Sequence, residues 1–190
     1  MQNTLNIQIW SDIMCPFCYI GKRRIEEALQ HFEHKDSVTI EWKSFQLDAG
    51  FIASPQDSMV EHLAEKYRKD KDWAQEMLDN MTQNAKNAGL DFHFEKAILA
   101  NSFHAHRLLH LAKKYNLANN LEELLFKAYL TEGKNVNNLN TLTELALEVG
   151  LEAGEVQNVL HSDAFAKEVK EDIKEANSIG VQGVPFFVFD

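Results

Sequence analysis

Two cysteines, Cys15 and Cys18, are the only ones in the chain, and they fall in one run, Ser11-Asp12-Ile13-Met14-Cys15-Pro16-Phe17-Cys18-Tyr19-Ile20-Gly21-Lys22. The C-x-x-C spacing follows a short apolar alternation, Leu5, Ile7 and Ile9, that reads as a strand. It precedes a helical pattern of Ile20, Arg24, Ala28 and Phe32, with Ile25 and Leu29 alongside. A dithiol at a strand-to-helix junction is a redox arrangement. If the helix starts near Cys15, its unpaired N–H groups and the positive end of its dipole face the first sulfur and favour thiolate over thiol. Cys15 is then expected as the exposed attacking thiolate. Cys18, one turn further in, is placed to attack a mixed disulfide at Cys15 and release the partner. Pro16 suits the first helical turn, where its missing N–H is no loss. Phe17 brings no charge, so the helix terminus must supply most of the activation. Lys22 can add positive potential, whereas Arg23 and Arg24 are expected to be solvated.

The other composition signals narrow the classes. With 19 Lys and Arg against 29 Asp and Glu, the net charge of −10 argues against nucleic acid or an anionic membrane as partner. No secretory leader is visible in the first residues and no apolar run is long enough to span a bilayer. Cysteines confined to one motif fit a reducing compartment, so a cytoplasmic location is expected. A zinc reading would need four ligands. The only helical histidine pair, His106 and His110, is distant in sequence, so no metal site is expected. His104, His106 and His110 are read as ordinary helix residues.

Read in order, strand Leu5–Ser11, a helix over about Cys18–Phe32 and a β-branched, aromatic alternation over Val38–Phe45 make a right-handed βαβ unit with a parallel pair. A loop is expected over Asp48–Pro55. Helical stripes follow. One is capped by Ser58 with Glu61, one runs from Trp73 to a stop at Gly89, and one carries Ile98, Leu99, Phe103, Leu108, Leu109 and Ala112. Another runs from Leu121 to near Gly133, one is capped by Thr141 with Glu144, and a short one holds Val156, Val159 and Leu160. Met59, Met77 and Met81 read as core positions of these helices. A last helix over Asp163–Ile179 buries Phe165, Val169, Ile173 and Ala176. After it, Pro185 opens an apolar strand, Phe186-Phe187-Val188-Phe189, whose continuous run suits a strand covered on both faces. Trp10 and Tyr19 either line a hydrophobic rim at the dithiol or simply pack. Asp12 either modulates the thiolate or is an ordinary strand-end residue.

The Ser-Asp-x-x-Cys-Pro-x-Cys-Tyr-x-Gly-Lys run, the helical middle and the late Gly183-Val184-Pro185-Phe186-Phe187 stretch together resemble the DsbA-like branch of the thioredoxin superfamily, and within it the FrnE-like group of dithiol oxidoreductases. That group is related to proteins similar to 2-hydroxychromene-2-carboxylate isomerase. Ala105-His106-Arg107-Leu108 and Thr131-Glu132-Gly133-Lys134 resemble the same group. The resemblance implies an α/β, thioredoxin-like fold with an inserted α-helical subdomain, residues 1–50 and 163–190 forming the first and 51–162 the second. It implies Cys15 as nucleophile, Cys18 as resolving cysteine, and Val184-Pro185 as a cis-proline peptide opposite them. Substrate contacts then fall on Val184, Pro185, Pro16 and Phe17. No bound cofactor is implied; glutathione or another thiol would exchange with the pair, and the substrate would be a disulfide-containing protein or small thiol compound. DsbA has a histidine where this chain has Phe17, which argues against an oxidant of DsbA strength. The family pattern continues with another strand and helix after the proline strand, so a sequence stopping at Asp190 is expected to show three strands and an open edge. The competing function is a glutathione-dependent isomerase or transferase of the 2-hydroxychromene-2-carboxylate isomerase or kappa-class type, which needs no second cysteine.

Overall fold

β1 (Leu5–Ser11) is the strand on which the sheet is built. In the computed structural model, which describes residues 4–52 and 58–190, β1 lies between β2 (Val38–Ser44) and β3 (Phe186–Phe189), in the order β2-β1-β3. β1 and β2 are parallel, in register from Leu5 opposite Val38 to Ser11 opposite Ser44, as a strand–helix–strand unit requires. β3 is antiparallel to β1, with Ile7 opposite Phe189 and Trp10 opposite Phe186. Alternation along β1 sends Ile7 and Ile9 to one face with Trp42, and Trp10 to the other with Ala176 and Val181.

Eight α-helices lie among the described residues. α1 (Pro16–Gln30) connects β1 to β2. α2 (Met59–Tyr67), α3 (Lys71–Asn87), α4 (Phe103–Lys113), α5 (Ala118–Leu130), α6 (Leu139–Glu148) and α7 (Ala153–His161) come next, and α8 (Ala166–Ser178) leads back to β3. The largest core takes Ile13, Cys18 and Ile20 together with Leu78, Leu108, Leu125 and Phe126. The first turns of α1 are therefore packed into the helical layer. Fully burying one such Leu or Phe is worth about 1.5–3 kcal/mol. Tyr19 stacks on Phe126 at 5.0 Å between ring centres, fixing α1 against α5.

Several boundaries differ from the sequence reading, each for a local reason. The loop expected over Asp48–Pro55 is described as far as residue 52, and the remainder lies outside the described residues. α4 starts at Phe103, not Ile98, because Asn101 Oδ1 accepts from Phe103 N at 3.0 Å while its amide donates to Ala49 O and Phe51 O. The extended segment before it buries Leu99 and leaves Ile98 exposed. α6 is capped by Asn138, which accepts from Asn140 N and Thr141 N, so Thr141 lies inside the helix. α8 starts three residues later than expected because Phe165 takes a left-handed conformation, φ 60°, and remains half-buried. Ser58 caps α2 as read, accepting from Glu61 N at 3.2 Å. β3 is only half-buried, with Phe189 60% exposed, against the expected cover on both faces.

Candidate functional site

Cys15 is the N-cap of α1, with φ −94° and ψ 110°, and Pro16 occupies the first helical turn. α1 thus begins two residues before the expected Cys18 start. Its opening is built by the strand end: Cys15 N donates to Asp12 O at 2.9 Å and Cys18 N to Cys15 O at 3.0 Å. The unpaired N–H groups of the first turn surround the Cys15 position. Both cysteines are free thiols. Cys18 is 1% exposed beneath Cys15. Cys15 is itself only 3% exposed, which corrects the expectation of an exposed thiolate. The reason lies opposite: the Cys15 thiol donates to Val184 O at 3.4 Å, and the Val184–Pro185 peptide is cis. A Cβ on Gly21 would meet Pro185 Cγ at 3.0 Å, so glycine allows α1 to approach the proline loop this closely. Phe17 projects outward at 43% exposure beside half-buried Pro16. Cys15, Cys18, Pro16, Phe17, Val184 and Pro185 are all brought together.

Access to Cys15 is through a cavity of about 330 Å³ whose walls include Met14, Phe17, Met59, Met77, Met81 and Val184. The three helix methionines read as core positions therefore also line the space in front of the sulfur, and such side chains adapt to irregular ligand shapes. Arg23 is not solvated as expected. It pairs with Glu26 at 2.9 Å and with Glu123, and its guanidinium lies 4.9 Å from the Tyr19 ring centre. Buried Lys22 pairs with Glu123 at 3.0 Å and with Glu26. Trp10 and Tyr19 pack rather than line a rim: Trp10 Nε1 donates to Asp172 O at 3.0 Å, and Tyr19 Oη donates to Glu123 Oε1 at 2.6 Å.

Below the dithiol lies a buried polar cluster; the sequence reading allowed Asp12 a place near the thiolate but missed Ser11 and Glu122. Asp12 accepts from Met14 N at 3.2 Å and from Leu47 N at 2.7 Å, and His106 Nε2 stands 3.5 Å from its Oδ1. Burial pushes the Asp12 carboxyl up, but His106 and the Leu47 and Ser102 donors outweigh it and hold it below its ordinary value. Ser11 Oγ donates to Glu122 Oε1 at 2.7 Å. Glu122 is fully buried and its Oε2 has no hydrogen-bond partner. Burial raises its carboxyl to about 7 against the pull of Ser11, His106 and Lys22. Burial, followed by the adjacent Cys15, also pushes the Cys18 thiol well up, while the Asp12 backbone and the Ser11 hydroxyl act the other way. One signal for Glu122 was present. It heads the stripe Glu122, Leu125, Phe126, Tyr129, an apolar face of α5 on which a lone acid is out of place.

Apart from His106, the other quoted segments hold the frame. Arg107, buried in α4, donates to the carbonyls of Ala164 (2.7 Å), Val159 and Ser162. Gly133 has φ +67°, and a Cβ there would come within 2.6 Å of Lys96 O. Among the described residues, no group of three or more His, Cys, Asp or Glu side chains could hold a metal ion, and no helix is long and apolar enough to cross a membrane.

A β1–α1 dithiol packed against a cis-proline loop defines a thioredoxin-type fold with helices added between its second strand and its last helix. Residues 6–190 match the family of DSBA-like thioredoxin domains. The chain is 38% identical to the probable DsbA oxidoreductase SCO1869 from Streptomyces coelicolor, with a TM-score of 0.90 over 98% of this chain and 80% of that one. It is 30% identical to the uncharacterized protein YwbO of Bacillus subtilis (strain 168), over 97% of this chain and 86% of the relative. The cytosolic disulfide reductase DsbM from Pseudomonas aeruginosa, solved with GSH, shares the fold at 16% identity and a TM-score of 0.65, covering 96% and 84%. The chain belongs to the DSBA-like thioredoxin family of thiol–disulfide oxidoreductases.

Proposed function

We propose that the protein exchanges two electrons with disulfide substrates through Cys15 and Cys18. In the reducing direction the Cys15 thiolate attacks a substrate sulfur, the substrate S–S bond breaks, and a Cys15–substrate mixed disulfide forms. Cys18, deprotonated, then attacks Cys15 Sγ. The substrate's other sulfur has left as a thiolate in the first step; the sulfur held in the mixed disulfide now leaves as a thiolate, both take protons from solvent, and Cys15 and Cys18 are left as a disulfide. The oxidising direction is the reverse. The observation that carries this reading is the stacking of the two thiols at the α1 N-terminus, with Cys15 against Val184 O at 3.4 Å and Cys18 sealed below it.

In this reading, residues 1–50 and 163–190 carry the dithiol and the proline strand, and residues 51–162 are the inserted helical subdomain that walls the cavity. Val184 and Pro185, with Pro16 and Phe17 at the rim, receive the disulfide-containing substrate. Glutathione or another thiol recycles the pair, a choice supported by the glutathione held by DsbM on the same fold. A cytoplasmic site of action agrees with cysteines confined to one motif and with DsbM, on the same fold, being a cytosolic disulfide reductase. No cofactor beyond the two sulfurs is required.

The test is equilibration in glutathione redox buffers, with free thiols counted by alkylation and mass. A reversible two-electron transition linking Cys15 to Cys18 supports the reading. A midpoint between about −270 mV, as for thioredoxin, and about −120 mV, as for DsbA, would place it as reductant or oxidant. A stable single glutathione on Cys15 with no internal disulfide, together with full turnover by a Cys18→Ser variant, would instead establish the glutathione-dependent isomerase or transferase.

A further inference from the structure

The walls of the cavity in front of Cys15 set what kind of molecule it admits. Of the five methionines in the chain, Met14, Met59, Met77 and Met81 stand on those walls, brought there from the turn between β1 and α1, from α2 and from α3. Met59 and Met77 are only half-buried, so neither is there to fill a closed core. Leucine packs a fixed core more firmly; thioethers on flexible stems suit a wall that closes around guests of differing shape. Phe94, Leu99 and Ala100, all buried, continue the apolar lining. The volume of about 330 Å³ lies near the lower end of the roughly 300–1,000 Å³ of small-molecule sites.

Polar partners are few, and the charge nearest the dithiol is already engaged. Asp12 lines the cavity, but its two carboxylate oxygens accept from Met14 N and Leu47 N. Tyr129 and Ser102 offer one hydroxyl each. His62 lies edge-on to the Phe51 ring, 5.1 Å between centres. Lys66 and Asp48 are exposed and opposite in sign, so they mark the solvent side and set no preference for net charge. Oxidised glutathione, with its several carboxylates and ammonium groups, would leave most of them unpaired against such a lining. A polypeptide brings an N–H and a carbonyl with each residue and meets the same cost. Its chain would also have to reach a sulfur that is 3% exposed and covered by Val184 O. A small uncharged molecule with an apolar body meets neither obstacle.

We infer that the disulfide handled in this cavity is a small, uncharged one with an apolar body, an alkyl or aryl disulfide R–S–S–R, in preference to glutathione or a polypeptide. This rests on the dithiol reading above and names its substrate class. One R group lies among the methionines while its sulfur meets Cys15. The Cys15 thiolate attacks, the S–S bond of the substrate breaks, one R–S⁻ leaves and a Cys15–S–R mixed disulfide forms. Cys18 then attacks Cys15 Sγ and the second R–S⁻ leaves. The two cysteines lose two electrons and two protons in becoming a disulfide, and the two R–S groups gain them in becoming two R–SH.

The experiment mixes reduced protein with diethyl, dipropyl or dibutyl disulfide, with oxidised glutathione, or with a short polar peptide closed by one disulfide. Samples are quenched with acid, and the Cys15–Cys18 disulfide is counted by alkylation and mass. Each rate constant is divided by that of dithiothreitol with the same compound, which removes intrinsic reactivity. The relative rate should rise about fourfold for each methylene that enters the cavity. Dibutyl disulfide should exceed both oxidised glutathione and the peptide by about tenfold or more. Met77→Gln replaces the thioether by an amide of similar length and should lower the ratio of dibutyl disulfide to glutathione about fivefold. A merely loosened fold would slow both compounds together and leave that ratio alone. Relative rates independent of chain length, or a faster reaction with oxidised glutathione or with the peptide, would overturn the inference. If Met77→Gln fails to fold, the wild-type series decides alone. If no compound of the set, apolar or polar, links Cys15 to Cys18, the dithiol reading fails first and the inference falls with it.

Discussion

The buried Glu122 carboxyl makes a prediction about stability that is independent of catalysis. Glu122 ionises at about 7 in the folded protein against an ordinary 4.5. Below pH 4.5 it is protonated in both the folded and unfolded chains and has no effect. Above 7 it is ionised in both, and the folded state bears the full cost of holding a buried charge. Between those limits the folded state binds more protons than the unfolded one, so stability falls as pH rises. A gap of about 2.5 pH units corresponds to about 3 kcal/mol at full ionisation. Glu122→Gln removes the titration while keeping the shape and an oxygen for Ser11. Its amide NH₂ replaces Oε2, which has no partner, adding a pH-independent penalty of about 1 kcal/mol. Urea unfolding of both proteins under reducing conditions, at pH 5 and pH 8, separates the two contributions. At pH 5 the variant should be level with wild type or slightly weaker; at pH 8 it should gain about 2–3 kcal/mol relative to wild type. A stability difference that stays flat between the two pH values would refute the argument, because a carboxyl ionised in the folded core cannot leave that difference unchanged.

Three further substitutions probe the frame around the site. Asp172→Asn removes a carboxylate that accepts from Ser44 N at 2.8 Å and lies 3.1 Å from His110 Nε2, 3.4 Å from Lys43 and 3.9 Å from Lys113. Burial opposes ionisation, but His110, Ser44 and Lys113 bring the folded value down to about 2, so its contribution is present above pH 3.8 and is lost as pH falls toward 2. After discounting for partial solvation it is worth about 1 kcal/mol, and urea unfolding should show the gap at pH 7 and a smaller one at pH 3. Arg107→Met strands the carbonyls of Ala164, Val159 and Ser162 and should cost about 3 kcal/mol in the same assay; a loss under 0.5 kcal/mol would show that those bonds are replaceable. Gly21→Ala places a methyl 3.0 Å from Pro185 Cγ, so it should cost about 1–3 kcal/mol and change the alkylation rate of Cys15 by displacing Val184 O. An unchanged rate would mean that the loop gives way without disturbing the thiol.

What could be read from the sequence was what short-range chemistry determines. The C-x-x-C between an apolar alternation and a helical stripe placed Cys15 at the helix start, and Leu5–Ser11 matched the strand to the residue. Ser58 capped its helix because its Oγ and the Glu61 N–H are three residues apart. Local signals failed where a tertiary partner took over. Asn101 holds the chain over Ala49 and Phe51 and delays α4, although Ile98 and Leu99 continue the apolar spacing. Phe165 has no glycine-like freedom, yet packing near His110, 6.4 Å between ring centres, accompanies its left-handed turn. The resemblance set Val184 and Pro185 opposite Cys15, but not how closely the Val184 carbonyl, 169 residues away, would cover the sulfur, because that closeness is set by tertiary packing.

The underside of the dithiol was hidden for the same reason, and the structure shows how it is assembled. Consecutive residues on α5 divide the work. Glu123 faces α1, where Lys22, Arg23 and Tyr19 converge on its carboxylate. Burial opposes its charge, but the Arg23, Tyr19 and Lys22 hydrogen bonds bring it down to about 2, so the clamp is ionised throughout the working range. Glu122, its immediate neighbour, is turned toward Ser11 and has only one hydrogen bond to its carboxylate. Fixing Glu123 to α1 fixes the rotation of α5 about its axis, and with it the reach of Glu122 to the strand end below Cys18. Two adjacent acids of the same kind are thereby driven to opposite ends of the carboxylate range, one at about 2 and one at about 7. Only the second lies where a carboxyl exchanges a proton near neutral pH.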